Sequence, residues 1–308
     1  MSSPFLRIGT RGSPLALAQA HETRRLLAVA HGVAPESIAI EVIKTSGDLI
    51  QDRALSSAGG KGLFTKEIEE ALRAGAIDLA VHSAKDMPTV LPDGLVLTAF
   101  LEREDVRDAL ISPRAPSLEA LPAGAVVGTA SLRRQAQVKR LRPDLQTILF
   151  RGNVETRLRK IAEGAADATL LALAGLKRLG LADRATAILD DETFLPAVGQ
   201  GAIAIETRAA DDRTRDLLFP LNHHDTEMAL IAERAFLAVL DGSCRTPIAG
   251  YASVMEGSLA FRGLILKPDG SQSHETTRWG SAERAEALGR SAGEELREAG
   301  GPDFFAGS

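Results

Sequence analysis

Along the first part of the chain, short apolar runs alternate with longer stretches in which apolar residues recur at helical spacing. The runs at 6–8, 38–44 and 78–82 predict β-strands, and the segments 14–31 and 64–74 predict helices between them. Glycine, proline and cap residues separate the two kinds of segment. This alternation indicates an α/β unit, in which ligand sites usually lie just beyond the strand ends.

A second group of elements repeats this order. Strands are predicted at 125–128, 146–150 and 168–172, and each is followed by a helical segment. Both groups begin with a strand, a Gly-Thr pair, a serine placed to cap a helix and then the helix itself; the serines are Ser13 and Ser131. The match is short, but it suggests two similar α/β domains that face each other.

Two segments are predicted to cross between these domains. The charged stretch 101–107 leads from the first to the second, and the glycine- and proline-rich stretch 195–202 leads back to a strand at 203–206. Two crossings are typical of a hinged pair of domains with a cleft between them. We therefore expect a first domain made of 1–101 with 201–221, and a second made of 102–200.

The remainder of the chain predicts a small α+β domain over 222–308. A helix is expected at 225–240, with four apolar residues on one face, namely Met228, Ile231, Ala235 and Val239. Three antiparallel strands are then predicted at 250–255, 259–266 and 273–279. Ser281 is placed to cap a last helix that ends near Gly300.

Composition narrows the class of protein. The 308 residues carry a formal net charge of -5, which argues against a nucleic-acid partner. No apolar run approaches the roughly 20 residues that cross a bilayer, and no signal-peptide pattern is present, so we expect a cytoplasmic protein with no membrane partner. Between Ser131 and Lys160, nine Lys and Arg residues outnumber two Asp and Glu residues. Such a basic region in an acidic chain suggests a defined polyanionic ligand.

The only cysteine, Cys244, lies between Gly242 and Pro247 and is followed directly by Arg245. This spacing is typical of a loop that displays the thiol, and the neighbouring cation favours the reactive thiolate. The alternative is a small buried hydrophobic residue, which is the commoner role of a lone cysteine. A single cysteine fits a reducing compartment, and six histidines without metal-binding spacing argue against a metal site.

Polar side chains gather at the predicted strand ends and in the helices that follow. Arginine binds a carboxylate as a two-pronged fork, so several arginines in one cleft suit a ligand with many carboxylates or phosphates. The alternative for each arginine is an ordinary solvated helix charge. The arginines concerned are Arg11, Arg133, Arg134, Arg151, Arg157 and Arg178. His82 and Asp86 are either acid–base residues or a strand-end histidine and a turn aspartate.

Taken together, eight segments in register resemble one family, porphobilinogen deaminase, also called hydroxymethylbilane synthase. The matching segments are 7–16, 59–64, 81–88, 128–135, 151–158, 174–178, 196–202 and the loop around Cys244. The resemblance implies two α/β domains like those of periplasmic binding proteins, with a hinged cleft, and a third domain that carries the cysteine. It also suggests a monomer.

The resemblance implies a transferase of tetrapyrrole biosynthesis. Enzymes of this family join four porphobilinogen molecules head to tail, release four ammonia molecules and hydrolyse off the linear tetrapyrrole hydroxymethylbilane. Their primer is a dipyrromethane cofactor bound to cysteine through a thioether, and the matching residue here is Cys244. The growing chain reaches six rings and twelve carboxylates, which accounts for the number of arginines.

Residue by residue, the resemblance implies a catalytic role for Asp86, which would stabilise positive charge on a pyrrole nitrogen. Besides Cys244 and Asp86, the expected cofactor-binding residues are Lys85, Thr129, Ser131, Arg133 and Arg134. The expected substrate-binding residues are Arg11, Ser13, Gln19, Lys61, Phe64, Arg151, Arg157, Arg178 and Gln200. Lys61 and Phe64 are expected to cover the site. The chain departs from some relatives at Ser57, where they carry a second lysine.

Two other classes of function stay open at this stage. One is a non-enzymatic protein whose two lobes close around an anion, with Cys244 incidental. The other is a thiol-dependent transferase or hydrolase of a different kind. The missing export signal disfavours the first, and the register of the eight segments disfavours both.

Overall fold

The structure is a computed structural model that describes residues 4–49, 64–240 and 246–305. Its first sheet contains Leu6–Thr10 (β1), Ile38–Val42 (β2), Leu79–Ser83 (β3), Leu95–Phe100 (β4) and Ile203–Arg208 (β10). The second contains Asp108–Ile111 (β5), Val126–Gly128 (β6), Gln146–Ile148 (β7), Ala168–Ala172 (β8) and Ala187–Ile188 (β9). The third contains Ile248–Met255 (β11), Ser258–Leu266 (β12) and Ser273–Ser281 (β13).

Helices cover these sheets. They are Pro14–His31 (α1), Ser46–Leu49 (α2), Lys66–Arg73 (α3), Leu132–Leu141 (α4), Val154–Ala162 (α5), Leu173–Arg178 (α6), Asp212–Leu218 (α7), His224–Val239 (α8) and Ala285–Gly300 (α9). We call the three sheets with their helices the first, second and third units. The first unit holds α1, α2, α3 and α7, the second holds α4 to α6, and the third holds α8 and α9.

The two five-stranded sheets share one topology. Their strand orders are β2-β1-β3-β10-β4 and β7-β6-β8-β5-β9. In each, three neighbouring strands run parallel, and a fourth runs antiparallel to both of its neighbours. That antiparallel strand is β10 in the first sheet and β5 in the second, and each begins shortly after the chain has crossed from the other unit. Each unit therefore contains a strand that directly follows a crossing.

The predicted fold class is confirmed: two similar α/β units are joined to a three-stranded antiparallel sheet. The three C-terminal strands were predicted within two residues of their observed ends. The last helix continues through Gly300, and Gly301 is its C-cap. Sequence patterns did not predict β4, β5, β9 or α7. In particular, β5 is four residues long and begins with a charged residue, so its apolar run of three residues is too short to identify a buried strand.

The most buried positions of α8 are not the four apolar residues that the sequence placed on one face, although Met228 and Ile231 pack against the core. The buried positions are Thr226, Ala229, Leu230, Ala232, Glu233 and Phe236, while Met228, Ile231, Ala235 and Val239 are only partly buried. The reason is Glu233, which is fully buried and accepts hydrogen bonds from Arg103, Gly199 and Ala252. Hydrophobic periodicity alone cannot place a buried charge in a core.

Each sheet packs against its own apolar core. In the third unit, Phe236 of α8 and Phe261 of β12 are fully buried, with ring centroids 4.9 Å apart. No helix within the described residues is both long and apolar enough to span a bilayer.

Candidate active site

Two helix N-termini mark the site, one in each α/β unit. The Ala16 amide donates to Ser13 Oγ at 3.3 Å, and the Arg134 amide donates to Ser131 Oγ at 3.4 Å. The two serines therefore cap α1 and α4, as predicted from the sequence. Thr129 supports the second cap, because its buried Oγ1 accepts from the Ser131 amide at 3.1 Å. Helix N-termini of this kind favour anionic groups.

A single helical turn, Ala84–Asp86, follows β3 and carries the two central residues of the prediction. Lys85 is half-buried, and burial lowers its pKa to about 8, although the Asp86 carboxylate acts in the opposite direction. Within the ranges that the structure describes, neither Lys85 nor Asp86 makes a hydrogen bond or ion pair. The protein's own described contacts therefore leave both groups available to a ligand.

Asp86 interacts electrostatically with an arginine of the second unit. Burial, with a contribution from the positive charges of Arg134 and Arg151, lowers the pKa of Arg157 on α5 to about 10. The Asp86 carboxylate raises it, which places this carboxylate within electrostatic reach of Arg157. Among the described residues, the Arg157 side chain makes one hydrogen bond, from Nε to Gly152 O at 2.8 Å. The predicted catalytic carboxylate and one predicted binding arginine therefore interact electrostatically across the two units.

Arg133 and Arg134 bind a carboxylate of the protein itself. Arg133 Nη2 lies 2.7 Å from Asp108 Oδ2, and Arg134 Nη2 lies 2.6 Å from Asp108 Oδ1. Their remaining bonds go to the carbonyl oxygens of Leu195 and Leu170. All three charged side chains are nearly or fully buried. The predicted contact of these arginines with a cofactor stays a prediction. Both guanidinium groups already bind a carboxylate of the protein.

Asp108 is a residue of the candidate site that the sequence analysis did not identify. Burial alone would raise its pKa, but Arg133 and Arg134 lower the pKa well below its usual range. Gln200 adds a hydrogen bond from Nε2 to Asp108 Oδ1 at 2.9 Å. The available signal was an aspartate that directly precedes an apolar run, in a chain with many clustered arginines.

Gln19 and Gln200, both predicted to bind substrate, are buried and bonded to the protein. Gln19 is 3% exposed and its Nε2 donates to Ser83 Oγ at 2.9 Å, which joins α1 to the end of β3. Gln200 is 1% exposed and also donates to Val106 O at 2.7 Å. Because both side chains are buried, a substrate could contact either amide only after the surrounding residues had moved.

Arg11 and Phe64 lie together in the first unit. The guanidinium carbon of Arg11 is 4.1 Å from the centroid of the Phe64 ring, a cation–π contact. Lys61, Ser57 and the glycine-rich stretch around them lie outside the described residues, as do Cys244 and its neighbours Gly242 and Arg245. The described part of the chain reaches Leu240 at the end of α8, four residues before the cysteine.

Arg178 lies where the two α/β units meet. Its Nε is 3.2 Å from Glu22 Oε2 on α1, and its Nη2 is 3.0 Å from Gly201 O in the returning segment. Within the basic region between residues 131 and 160, five members bind backbone or nearby acidic groups: Lys139, Arg140, Arg142, Arg159 and Lys160. The excess of positive charge seen in the sequence therefore serves partly to hold the second unit together.

His82 points away from this site. Its Nε2 is 3.2 Å from Glu206 Oε2, and both side chains are buried. Alternation along a strand places His82 on the opposite face of the sheet from Ser83, which contacts α1. The sequence left two interpretations of His82 open, an acid–base residue and a structural histidine at a strand end. The second fits this geometry.

Comparison with known proteins identifies the family. A family model described as "Porphobilinogen deaminase, dipyromethane cofactor binding domain" matches residues 6–216, and one described as "Porphobilinogen deaminase, C-terminal domain" matches residues 228–298. A curated protein from Nitrobacter hamburgensis, named porphobilinogen deaminase, is 67% identical over 97% of this chain and 94% of its own length. One of the same name from Nitrobacter winogradskyi is 66% identical over the same shares.

Among solved structures, a putative methionine-binding lipoprotein from Bacillus subtilis aligns with a TM-score of 0.43 and 12% identity, over 71% of this chain and 90% of that one. A periplasmic substrate-binding protein of an ABC transporter from Coxiella burnetii aligns with a TM-score of 0.43 and 14% identity, over 70% and 92%. The family models and the curated relatives carry the assignment: this chain belongs to the porphobilinogen deaminase family.

Proposed function

We propose that this chain deaminates four porphobilinogen molecules and joins them head to tail into hydroxymethylbilane, on a dipyrromethane primer held by Cys244. Membership of the family makes it an enzyme of tetrapyrrole biosynthesis with a dipyrromethane cofactor. The observation that carries the assignment of the site is the group formed by Asp86, Lys85 and Arg157. Neither Lys85 nor Arg157 forms a contact ion pair with a carboxylate among the described residues, and such buried or half-buried cations are costly unless a ligand supplies a further anion.

The residues around this group fit a dipyrromethane, whose two pyrroles carry four carboxylates. Lys85 and Arg157 provide cations, and Arg133 Nε is a buried donor with no hydrogen-bond partner in the described part of the chain. The residues that would hold the cofactor are Lys85, Thr129, Ser131, Arg133 and Arg134, with Cys244 as the covalent anchor. When bound, the cofactor supplies the nucleophilic pyrrole carbon to which the first substrate is joined.

Asp86 is proposed as the catalytic residue. When porphobilinogen loses ammonia, positive charge develops on its pyrrole nitrogen, and a fixed carboxylate beside that nitrogen lowers the barrier. The short turn after β3 fixes the Asp86 backbone, and the described residues leave its oxygens free to accept pyrrole N–H groups. The same carboxylate can take up and return protons during each addition.

The substrate carboxylates are proposed to bind to cations and hydroxyl groups from both α/β units. A held primer and a bound substrate react as neighbours, which removes much of the entropy cost of each addition. The proposed residues are Arg11, Ser13, Lys61, Phe64, Arg151, Arg157 and Arg178. For Gln19 and Gln200 we propose a structural role instead, because their amides are buried and hydrogen-bonded to neighbouring segments of the protein.

The organisation of the protein is proposed along the same lines. Three domains, 1–101 with 201–221, 102–200 and 222–308, agree with the grouping of strands, since β10 belongs to the first sheet. We also propose a cytoplasmic monomer that binds neither nucleic acid nor membrane. The family match does not favour the alternative of a non-enzymatic two-lobed anion-binding protein.

The intact mass of protein from a host that makes porphobilinogen tests this function. We expect an increment of one dipyrromethane on Cys244, a pink colour with Ehrlich's reagent and hydroxymethylbilane as product. Cys244→Ser should lack both the increment and the activity. A wild-type mass equal to that of the bare chain would contradict the proposal.

Asp86→Asn tests the catalytic assignment. We expect it to retain the cofactor while turnover falls by about 100-fold or more, since a general acid–base group typically contributes that much. Asp93→Asn is the matched control, because Asp93 is an exposed aspartate in the loop that follows. Near-normal turnover of Asp86→Asn would show that the assigned role is wrong.

A further inference from the structure

Glu22 and Arg178 join the two α/β units by an ion pair. Glu22 lies on α1 of the first unit and Arg178 on α6 of the second, with Oε2 and Nε 3.2 Å apart. The two helices are in contact here, since a Cβ on Gly175 would lie 3.5 Å from Leu15 Cδ2. The pair therefore sits at the junction of the units, on an arginine assigned above to substrate binding.

The two partners differ in how firmly they are held. The Arg178 side chain is 9% exposed, and its Nη2 is fixed by Gly201 O at 3.0 Å. The Glu22 side chain is 34% exposed, and within the described ranges only its Oε2 has a partner. Glu22 can turn into solvent at little cost, because a partly exposed ion pair contributes little to stability. Arg178 has no comparable freedom.

Arg178 Nη1 has no hydrogen-bond partner among the described residues, and Nη2 uses one of its two N–H groups. The side-on fork of this guanidinium, formed by the N–H groups of Nε and Nη2, is blocked by Glu22 at Nε. A ligand carboxylate can make this two-pronged contact, a strong mode of arginine–carboxylate binding, only when Glu22 moves away. Until then, the Glu22 carboxylate also repels a second negative group at the same place.

From this geometry we infer that Glu22 is a specificity-determining residue: a resident carboxylate that occupies Arg178 and is displaced by a carboxylate of the substrate. The inference rests on the proposed function, because it takes Arg178 as a substrate-binding residue. Exchange of one carboxylate for another keeps the arginine neutralised throughout. It also releases the contact between α1 and α6 at the moment when substrate binds.

Glu22→Gln tests this inference, because it removes the charge and keeps the size of the side chain. We expect the KM for porphobilinogen to fall about two- to fivefold, the size of effect that a partly exposed ion pair supports, with kcat unchanged. In an Arg178→Gln background, the same substitution should leave KM unchanged, since the competing carboxylate no longer has a shared partner.

Glu104→Gln is the matched control. Glu104 pairs with Lys177, the neighbour of Arg178 on α6, at 2.8 Å, and its carboxylate also lies within electrostatic reach of Arg178. This variant removes the same charge nearby but no partner of Arg178, so its KM should match that of the wild type.

Three results would overturn the inference: an unchanged or higher KM in Glu22→Gln, an equal fall in Glu104→Gln, or a fall that persists without Arg178. Failure of the wild-type enzyme to form hydroxymethylbilane would instead contradict the proposed function. The two failures are therefore distinguishable in one set of assays.

Discussion

Arg134 of α4 binds Asp108 of β5 through two hydrogen bonds to the same oxygen: Nη2 and Nε lie 2.6 Å and 3.2 Å from Asp108 Oδ1. Arg133 takes the other oxygen, and Gln200 adds a fourth donor. One carboxylate thus fixes two arginines that begin the helix next to the site. The group orders cations before any ligand arrives, which reduces the cost of ordering them on binding.

Asp108→Asn should destabilise the protein by roughly 3–5 kcal/mol, because it leaves two buried guanidinium groups without their charge partner. The measurement is urea unfolding of the cofactor-bound protein. Asp144→Asn, which removes the partner of the more exposed Arg142, is the control and should change the free energy of unfolding little. Equal stability of the two variants would contradict the central role of Asp108.

Arg234→Gln should lower kcat by about tenfold while leaving the cofactor in place, because a small misplacement of a catalytic group is costly. Arg234 on α8 donates from Nη2 to the carbonyl oxygens of Pro88 and Thr89, at 2.8 Å and 3.1 Å, just after Asp86. We therefore expect it to position the turn that carries the proposed catalytic Asp86, and kcat should change more than KM.

Arg262→Gln is the control for that variant. Arg262 also donates from Nη2 to a backbone carbonyl of another unit, that of Glu192, at 2.9 Å, but far along the chain from Asp86. Its kcat should be normal even if its melting temperature falls. Arg234→Lys should restore part of the rate. If both glutamine variants lost only stability, Arg234 would have no positioning role.

The pKa of Lys85 should rise when the cofactor is attached. A lysine is charged below its pKa, and burial lowers this pKa from 10.5 to about 8 in the structure. A cofactor carboxylate beside Lys85 would favour the charged form and so shift the pKa upward. Cofactor attachment at pH 9 should therefore be accompanied by proton uptake at this residue.

Titration of ¹³C-methylated lysines by NMR measures this shift, with Lys85→Arg used to assign the resonance. The cofactor-free protein comes from a host that does not make porphobilinogen. The same midpoint with and without cofactor would mean that no cofactor carboxylate lies beside Lys85.

His82→Gln should keep kcat within about threefold and leave the pH profile unchanged, because its ring contacts buried Glu206 and not the cleft. We expect the melting temperature to fall, since the variant weakens a buried polar contact. A large loss of kcat at unchanged KM would restore the acid–base role that the sequence left open.

Local patterns predicted the elements and much of the site. Apolar spacing located β11, β12 and β13, and strand–serine–helix order located the caps at Ser13 and Ser131. Such signals are contained in a few neighbouring residues. The sequence also indicated that Asp86 follows a strand at the edge where a ligand would bind.

Local sequence patterns could not identify the partners of the predicted arginines. Asp108 lies 25 positions before Arg133, and Glu22 lies 156 positions before Arg178, so no local pattern relates them. Whether an arginine holds a ligand or its own protein depends on which strands become neighbours. The place of β5 between β8 and β9 decides this for Arg133 and Arg134.

The position of β10 has a consequence for synthesis. On the ribosome, every strand of the second sheet is made before β10, which separates β3 from β4 in the first sheet. The amino-terminal sheet is therefore finished after the second sheet, and until residue 208 emerges, β3 and β4 lack the neighbour that joins them. A truncated chain that stopped before residue 203 would carry a whole second sheet and a divided first one.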